Sequence, residues 1–153
     1  EKMEFKKSTV NLLKIHGSLT WKKSDDNIAR VSKEDNDVPI MIFPSSNKYT
    51  HSYEKPYFEL FSKFQEYIKR TNTLLITTGF SFSNHIAKMI TQAIKTTSSL
   101  TVLITDHTID AEDKCSNWKE LERLMNNGYR IAFLKGTVDN DLVEYFGDRK
   151  YDN

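Results

Sequence analysis

The chain has 153 residues, of which 38% are hydrophobic, and this is enough to bury the core of one domain. Lys and Arg number 22 against 21 Asp and Glu, for a net charge of +1, which predicts no long-range attraction to nucleic-acid phosphates or acidic membranes. The single cysteine, Cys115, excludes an internal disulfide and a zinc site built from several thiolates.

The sequence also bears on where the protein is located and on whether the chain is part of a longer protein. No apolar run approaches the roughly 20 residues of a membrane helix, and no secretory signal opens the chain, so we expect a cytoplasmic protein. The chain opens on Glu1 rather than methionine and reaches an apolar run almost at once. We therefore expect a piece of a longer protein, with residues 1–153 forming a single domain fragment.

The first third of the chain mixes short apolar runs with polar segments. Residues 10–15 predict a strand that runs into a turn at residues 16–18, where a glycine permits a tight bend. Residues 22–37 are rich in Lys, Ser, Asp, Glu and Asn and predict a solvated loop or a small insertion. The apolar run over residues 38–43 predicts another strand, because turn-forming residues end it.

The remaining two thirds alternate helices with strands. A helix over residues 56–69 has aromatic and aliphatic residues on one face, which we interpret as core packing rather than cofactor stacking. That stripe consists of Phe58, Phe61, Phe64, Tyr67 and Ile68. Further strands are predicted over residues 73–78, 100–105 and 130–134, and further helices over residues 84–96, 118–127 and 139–146. We expect the strand over residues 73–78 to be buried on both faces, and Gly128 to cap the helix before it.

Strands that alternate with helices of this length predict the α/β class, with a parallel sheet and helices on both faces. In such sheets, ligands bind outside the carboxyl ends of the strands. The segments that follow the predicted strands are therefore the candidate site. They are His16-Gly17-Ser18, Pro44-Ser45-Ser46, Gly79-Phe80-Ser81, Thr105-Asp106 and Gly136-Thr137.

Three of these segments carry a family resemblance over roughly residues 9–146. The sequence Lys14-Ile15-His16-Gly17-Ser18, followed by Trp21, is similar to the motif that holds the catalytic histidine of sirtuins. The wider pattern resembles the bacterial sirtuin-like branch associated with defence against phage. It comprises Ile42-Phe43-Pro44-Ser45, Pro56-Tyr57 and Thr78-Gly79-Phe80-Ser81-Phe82-Ser83 with His85-Ile86. The resemblance implies a Rossmann-like, sirtuin-like fold and a domain that consumes NAD.

The resemblance assigns His16 as the catalytic base. It would take a proton from a ribose hydroxyl, or polarise the attacking water or acyl oxygen, while the nicotinamide glycosidic bond breaks. An imidazole suits this task because its ordinary pKa of about 6.5 leaves a neutral, proton-accepting form at working pH.

The resemblance also assigns the residues that bind NAD. Gly79 and Ser81 correspond to the sirtuin Gly-Thr-Ser turn that approaches the ribose, with Phe80 in place of the threonine. Thr105 and Asp106 fall where sirtuins read the adenosine ribose, although Asp106 could equally cap the segment that follows it. A further pair, Gly136 and Thr137, matches the last loop over the adenine.

Asn84 and His85 follow shortly after the Gly79-Phe80-Ser81 segment. Asn84 stands where the defence branch often has aspartate, so that hydrogen bonding is kept and the charge is lost. His85 opens a predicted helix, and we interpret it as a surface or packing residue rather than a second catalytic histidine.

Two departures from the family pattern narrow the function. Sirtuin deacylases generally insert a zinc module with four cysteines after the histidine motif, whereas this sequence has the polar residues 22–37 at that place. We therefore expect no zinc, and hydrolysis of NAD by water rather than acyl transfer to a peptide. No Gly-Ala-Gly phosphate loop occurs in the sequence, so we expect that loop upstream, and this fragment alone to be inactive.

The leading hypothesis is thus that the chain is part of an NAD glycohydrolase, which depletes NAD in bacterial anti-phage defence. The enzyme is expected to act as a homo-oligomer or joined to an effector or sensor domain. The alternative is a non-catalytic nucleotide-binding or assembly module that regulates a fused partner. A protein deacylase is the third possibility. A degenerate upstream phosphate loop would favour the second hypothesis over the first.

Overall fold

The computed structural model describes residues 10–24, 27–30, 56–82, 85–109 and 116–146. These residues belong to two compact units, one extending to Phe64 and the other starting at Gln65. No helix within the described ranges is long and apolar enough to cross a membrane. The single-domain boundary over residues 1–153 stays a prediction.

The first unit contains a pair of antiparallel strands. Strand β1 (Trp21–Ser24) pairs with strand β2 (Asn27–Arg30), so that Trp21 lies opposite Arg30. Both strands fall largely within the segment predicted as a polar loop. A two-stranded pair can be polar because neither of its faces needs to be buried, and composition alone therefore missed it. Residues 25, 26 and 31–37 of that segment lie outside the described residues, as does the strand predicted over residues 38–43.

The strand predicted over residues 10–15 is wrong. Residues 10–14 have no regular secondary structure, and Ile15 and His16 lie in a turn. The side chain of Val10 is fully exposed, and that of Leu12 is 78% exposed. A short apolar run shows that a segment could be buried, but its pattern does not supply the neighbouring strand with which it would pair.

Helix α1 (Tyr57–Ile68) confirms the helix predicted over residues 56–69 and leads from the first unit into the second. Its buried face carries Tyr57, Leu60, Phe61 and Ile68. Leu60 and Phe61 follow Tyr57 by three and four residues, and Ile68 follows Phe61 by seven. Phe58 is exposed, contrary to the predicted stripe, because it is turned about 100° from Tyr57 around a helix of 3.6 residues per turn.

The second unit contains a three-stranded parallel sheet. Its strands are β3 (Leu74–Thr78), β4 (Thr101–Asp106) and β5 (Ile131–Lys135), and their order in the sheet is the order in the chain. Helix α2 (His85–Thr96) joins β3 to β4, and helix α3 (Ser116–Asn126) joins β4 to β5. The α/β class and the parallel, Rossmann-like sheet flanked by helices are confirmed.

The core of this unit lies between the sheet and its two crossover helices. Right-handed crossovers between successive neighbouring strands place both helices on the same face. On that face Val102 and Ile104 of β4 are fully buried, and the Trp118 ring of α3 lies 5.4 Å from the Phe133 ring of β5. The predicted apolar face of α2 is confirmed by its buried side chains, which include Ile86, Ile90, Ala93 and Ile94.

The other face of the sheet is partly exposed among the described residues. Leu74 and Ile76 of β3 are 51% and 38% exposed, whereas Thr77 on the helix-covered face is buried. The prediction that this strand is buried on both faces is therefore wrong. Its run of β-branched and aliphatic residues is typical of a buried strand, but the two crossover helices cover only one side.

Local interactions fix the C-terminal end of α3. Its last turn is closed by the N–H groups of Gly128 and Tyr129, which donate to the carbonyls of Met125 (3.0 Å) and Leu124 (3.2 Å). With Gly128 at φ +84°, these bonds form a Schellman motif. The predicted glycine cap is confirmed.

An ion-pair network links the two crossover helices. The Glu120 carboxylate of α3 lies 2.7 Å from Lys95 Nζ of α2 and also pairs with Arg123. Hydrogen bonds from Arg123 and then Lys95 lower the pKa of Glu120 to about 2. Glu120 is therefore ionised over the whole neutral range.

After β5 the chain enters a π-helical turn (Val138–Leu142) that continues into a short helix, α4 (Val143–Phe146). This agrees with the closing helix predicted over residues 139–146. The irregular first turn was not expected from the sequence, and it coincides with a hydrogen bond from the Thr137 N–H to the Asp141 carboxylate.

Candidate functional site

The candidate base His16 lies in a well-connected turn of the first unit. The N–H of Gly17, which has φ +85°, donates to the carbonyl of Lys14 (2.9 Å). The His16 imidazole is exposed, and its ring centre lies 6.3 Å from that of Phe61 in an edge-on contact. The residue is therefore held on one side by an aromatic ring and presented to solvent on the other.

Ser18 is the buried centre of this turn. Its hydroxyl accepts a hydrogen bond from Lys14 Nζ (2.9 Å) and lies 3.1 Å from the hydroxyl of Thr20. Its carbonyl accepts from the N–H of Trp21 (3.1 Å), the first residue of β1. The Lys-x-His-Gly-Ser sequence thus builds a local hydrogen-bond network in the turn that carries His16.

In the second unit, the segments after the three parallel strands are joined at one edge of the sheet. Thr78 and Thr105 are paired across β3 and β4, and the N–H of Gly79 donates to the Thr105 carbonyl (3.3 Å). The N–H of Gly136 donates to the carbonyl of Asp106 (3.3 Å). The structure therefore brings the predicted residues Gly79, Thr105, Asp106 and Gly136 together, as expected for strand ends of a parallel sheet.

The turn after β3 exposes backbone to an approaching ligand. Gly79 has φ +57°, which favours glycine, and a side chain placed on it would meet nothing within 4 Å. Ser81 is exposed and Phe80 is half-buried, with its ring 4.7 Å from that of Phe82. Phe80, which stands in place of the expected threonine, thus packs within the turn and offers no hydroxyl to a ligand.

Thr105 supplies a buried hydroxyl at the end of β4. The residue is 2% exposed, and within the described part of the chain its Oγ1 has no hydrogen-bond partner. Leaving a buried hydroxyl unpaired costs about 1–3 kcal/mol. Thr105 therefore carries a closed, unsatisfied hydroxyl at the strand end, and its assignment to the ribose stays a prediction.

Asp106 is engaged by the residues that follow it. Its Oδ1 accepts hydrogen bonds from the Thr108 N–H (2.7 Å) and hydroxyl (2.6 Å), and His107 Nδ1 lies 3.7 Å away. The Thr108 hydroxyl, followed by its N–H, holds the pKa of Asp106 below the usual value for this side chain. The capping role that the sequence left open is thus present, and it uses Oδ1.

The loop after β5 is closed by a residue that the sequence analysis did not single out. The Asp141 Oδ2 accepts from the N–H of Thr137 (2.7 Å), and the carbonyl of Thr137 accepts from the N–H groups of Asp141 and Leu142 (3.2 Å each). A Cβ on Gly136 would lie 2.5 Å from Asp141 Cγ. Gly136 is therefore required by an internal cap, and the Thr137 N–H is already paired. An acidic residue four positions after a strand-end threonine is the signal that could have indicated this cap.

A second residue missed by sequence reasoning is Asn117, in the first turn of α3. Its Nδ2 donates to the carbonyl of Phe82 (2.8 Å), 35 residues earlier in the chain. Nothing in the local sequence indicates so distant a partner.

Several predicted features lie outside the described residues. Among them are Asn84, Cys115 and the residues 42–45 of the wider motif. His85 opens helix α2, as predicted. Among the residues that the structure describes, no group of three or more His, Cys, Asp or Glu side chains could hold a metal ion, and the expectation of no zinc stays a prediction.

Comparison with known proteins provides one positive result. A family model described as a SIR2-like domain matches residues 2–128, which include the His16 turn, β3, β4 and both crossover helices. The match ends before β5, so the adenine-loop assignment of Gly136 and Thr137 falls outside it. The comparison with curated proteins gave no match. The predicted sirtuin-like domain is confirmed.

Proposed function

The chain belongs to the SIR2-like domain family, whose members are commonly NAD-dependent enzymes, and we propose that it is part of an NAD glycohydrolase. The reaction splits NAD into nicotinamide and ADP-ribose. Water adds to the anomeric carbon of the nicotinamide ribose, and the glycosidic carbon–nitrogen bond breaks. The electron pair of that bond goes to the pyridinium nitrogen, so that nicotinamide leaves as a neutral molecule.

One observation carries the proposal, namely the pairing of an open glycine turn with a buried hydroxyl at the same sheet edge. Gly79 leaves its backbone accessible, and Thr105, joined to it by a backbone hydrogen bond, has a hydroxyl without a described partner. A sugar ring can approach a glycine closely and can satisfy a hydroxyl that both donates and accepts. The exposed Ser81 hydroxyl adds a second group of the same chemistry.

In this proposal His16 is the general base. It takes the proton of the attacking water, or of a ribose hydroxyl that assists the reaction, and the imidazole suits both tasks. The Lys14-Ser18-Thr20 network fixes the turn, which favours a constant orientation of the ring. The residues in this catalytic proposal are His16 as base, and Gly79, Ser81, Thr105 and Asp106 as groups that bind the substrate.

Hydrolysis is favoured over acyl transfer to a peptide because two short polar strands, β1 and β2, follow the histidine motif where deacylases carry their zinc module. Depletion of cellular NAD is a known consequence of such hydrolysis, and we propose anti-phage defence in a bacterial cytoplasm as its setting. Assembly as a homo-oligomer, or with an effector or sensor domain, belongs to the same proposal.

The test is the release of nicotinamide from NAD by the intact protein, compared between wild type and His16→Ala. Because a general base contributes about 10²- to 10⁴-fold to rate, we expect the variant to lose release by at least about 100-fold. Calorimetry should show that the variant still binds NAD, and circular dichroism that it is folded. His16→Asn, which keeps a polar side chain but is a far poorer base, should be as inactive.

Release that survives in both variants would remove His16 from the mechanism. A folded, assembled wild-type protein that binds NAD without releasing nicotinamide would reject the hydrolase and favour the second candidate, a non-catalytic nucleotide-binding or assembly module. That candidate has an observation in its favour. The Asp106 Oδ1 and the Thr137 N–H are both satisfied by neighbouring residues, as in loops that serve the fold.

A further inference from the structure

The turn after β3 ends in a strained residue. Phe82 has φ +55°, in the left-handed region, and it is 0% exposed. This conformation costs a non-glycine residue about 1–2 kcal/mol. The surrounding contacts must hold it, because a bulky residue left to itself returns to negative φ.

Besides the Phe80 ring, 4.7 Å from that of Phe82, two side chains from the first turn of α3 contribute to those contacts. The Trp118 ring meets the Phe82 ring edge-on, with centres 5.5 Å apart. The Asn117 Nδ2 donates to the Phe82 carbonyl at 2.8 Å. The Trp118 ring packs against the Phe82 side chain. The Asn117 hydrogen bond acts on the Phe82 peptide group itself.

Within this turn, Gly79 and Phe82 have positive φ, and they bracket Phe80 and Ser81. The backbone direction at both ends therefore determines where the Gly79 peptide and the Ser81 hydroxyl lie. A change at Phe82 would move these groups without removing any of them.

We propose that Asn117 is a positioning residue, which holds the turn over residues 79–82 in the form that receives a ribose of NAD. This rests on the proposed function. Without the Asn117 donor, the turn relaxes at Phe82 and only a fraction of molecules present the receiving form. The apparent affinity for the substrate falls by that fraction, while the chemical step in the bound complex is little changed.

The experiment uses Asn117→Asp in the intact protein. The introduced carboxylate has nearly the same shape, but it cannot donate and it faces the Phe82 carbonyl with its negative charge. Since Asn117 is the second residue of α3, a negative charge there is favourable to the helix. A loss of substrate affinity can then be separated from a loss of helix stability.

The matched control is Asn126→Asp, the same substitution at the last residue of the same helix. A negative charge at that end is unfavourable to the helix, and the residue is exposed and far in sequence from the turn. The control should lower the melting temperature slightly and leave the KM for NAD unchanged.

Two measurements are made on each variant. Hydrogen exchange followed by mass spectrometry, without NAD, reports the opening of residues 79–82, and nicotinamide release reports KM and kcat. For Asn117→Asp we expect faster exchange in this peptide and a KM raised about tenfold, as for the loss of one well-placed hydrogen bond, with kcat within about twofold of wild type.

Unchanged exchange in the 79–82 peptide would overturn the positioning role, and faster exchange with an unchanged KM would overturn its link to the substrate. A wild-type protein that releases no nicotinamide rejects the proposed function instead. In that case the exchange result still decides whether Asn117 holds the turn, and the KM for release is replaced by the dissociation constant of NAD from calorimetry. If that constant is the same for wild type and Asn117→Asp, the link to NAD is wrong.

Discussion

Gly79 and Gly136 both follow a strand of the same parallel sheet, and both were expected to let NAD come close to the backbone. In the structure, Gly79 has a positive φ and open space on the side where a side chain would stand. Gly136 is packed against the Asp141 carboxylate, at distances of 2.5–2.7 Å from where its Cβ would lie. The first glycine leaves room for a ligand, and the second makes room for a residue of the same chain.

The difference teaches that a glycine at a strand end has two distinct uses. Because a short loop must satisfy its own N–H groups when no ligand is bound, a nearby carboxylate can take the position that a ligand would otherwise occupy. In the loop after β5, the Asp141 carboxylate takes that position. The turn after β3 contacts α3 through Phe82 instead. The groups that we propose to bind a ligand are therefore those after β3 and β4.

The largest expected effect on stability is that of Gly136→Ala. The new methyl group collides with Asp141, and overpacking of this kind costs about 2 kcal/mol. In an Asp141→Gly background, which removes the Cβ of residue 141 as well as its carboxylate, the collision is absent, so the same substitution should cost less than about 0.5 kcal/mol. Urea denaturation of the four proteins in this double-mutant cycle measures the coupling. Additive free energies would show that the Asp141 cap does not determine the need for glycine.

A smaller effect is expected from Gly79→Ala, because only the positive φ opposes the side chain. We expect a loss of about 1 kcal/mol in the free energy of unfolding, without relief from any neighbouring substitution. Gly79→Asn should cost less, since asparagine tolerates this conformation better than alanine. An equal loss for the two variants in urea denaturation would indicate a steric cause in place of the backbone conformation.

The smallest effect concerns Asp106, whose pKa in the folded protein is lowered by the Thr108 hydrogen bonds. A carboxyl with a lowered folded-state pKa stabilises the fold above its unfolded pKa of about 3.9, and this contribution is lost as pH falls through the folded-state value. Wild type should therefore exceed Asp106→Asn in stability at pH 7 by about 1 kcal/mol or less.

The measurement is urea denaturation at a series of pH values, and the difference should shrink below about pH 4. Asp139→Asn, on the exposed turn after β5, is the control for the loss of one negative charge. A difference that stays constant down to pH 2, or one that grows as the pH falls, would contradict the assigned role of Thr108.

Much of the second unit was predictable because its signals are local. The apolar faces of α2 and α3 follow the helical period, and the glycine after α3 marks a cap whose hydrogen bonds span only a few residues. The strand over residues 73–78 was placed correctly, but its exposed face was not, because burial depends on which side the crossover helices cover. The run over residues 10–15 failed for a related reason, since apolar character does not supply a pairing partner.

The candidate site divides in the same way. The rule that ligands bind at the carboxyl ends of parallel strands was enough to bring Gly79, Thr105 and Asp106 together, because it depends only on topology. The parts played by Asn117 and Asp141 depend on where a side chain points after the fold has formed. The Asn117–Phe82 hydrogen bond joins residues 35 positions apart, and the Asp141 carboxylate packs against Gly136. Neither contact produces a periodic pattern in the sequence.

The order of the strands in the sheet also determines how this unit can fold. β3 pairs with β4 and β4 pairs with β5, so each pairing joins successive strands, yet a parallel pairing requires a whole helical crossover to close first. The loop-closure entropy is therefore lost before the ladder bonds form. Folding of residues 65–146 should accordingly be slower than that of an all-helical unit of equal length. The β1–β2 pair joins near neighbours in sequence, so it should form without that delay.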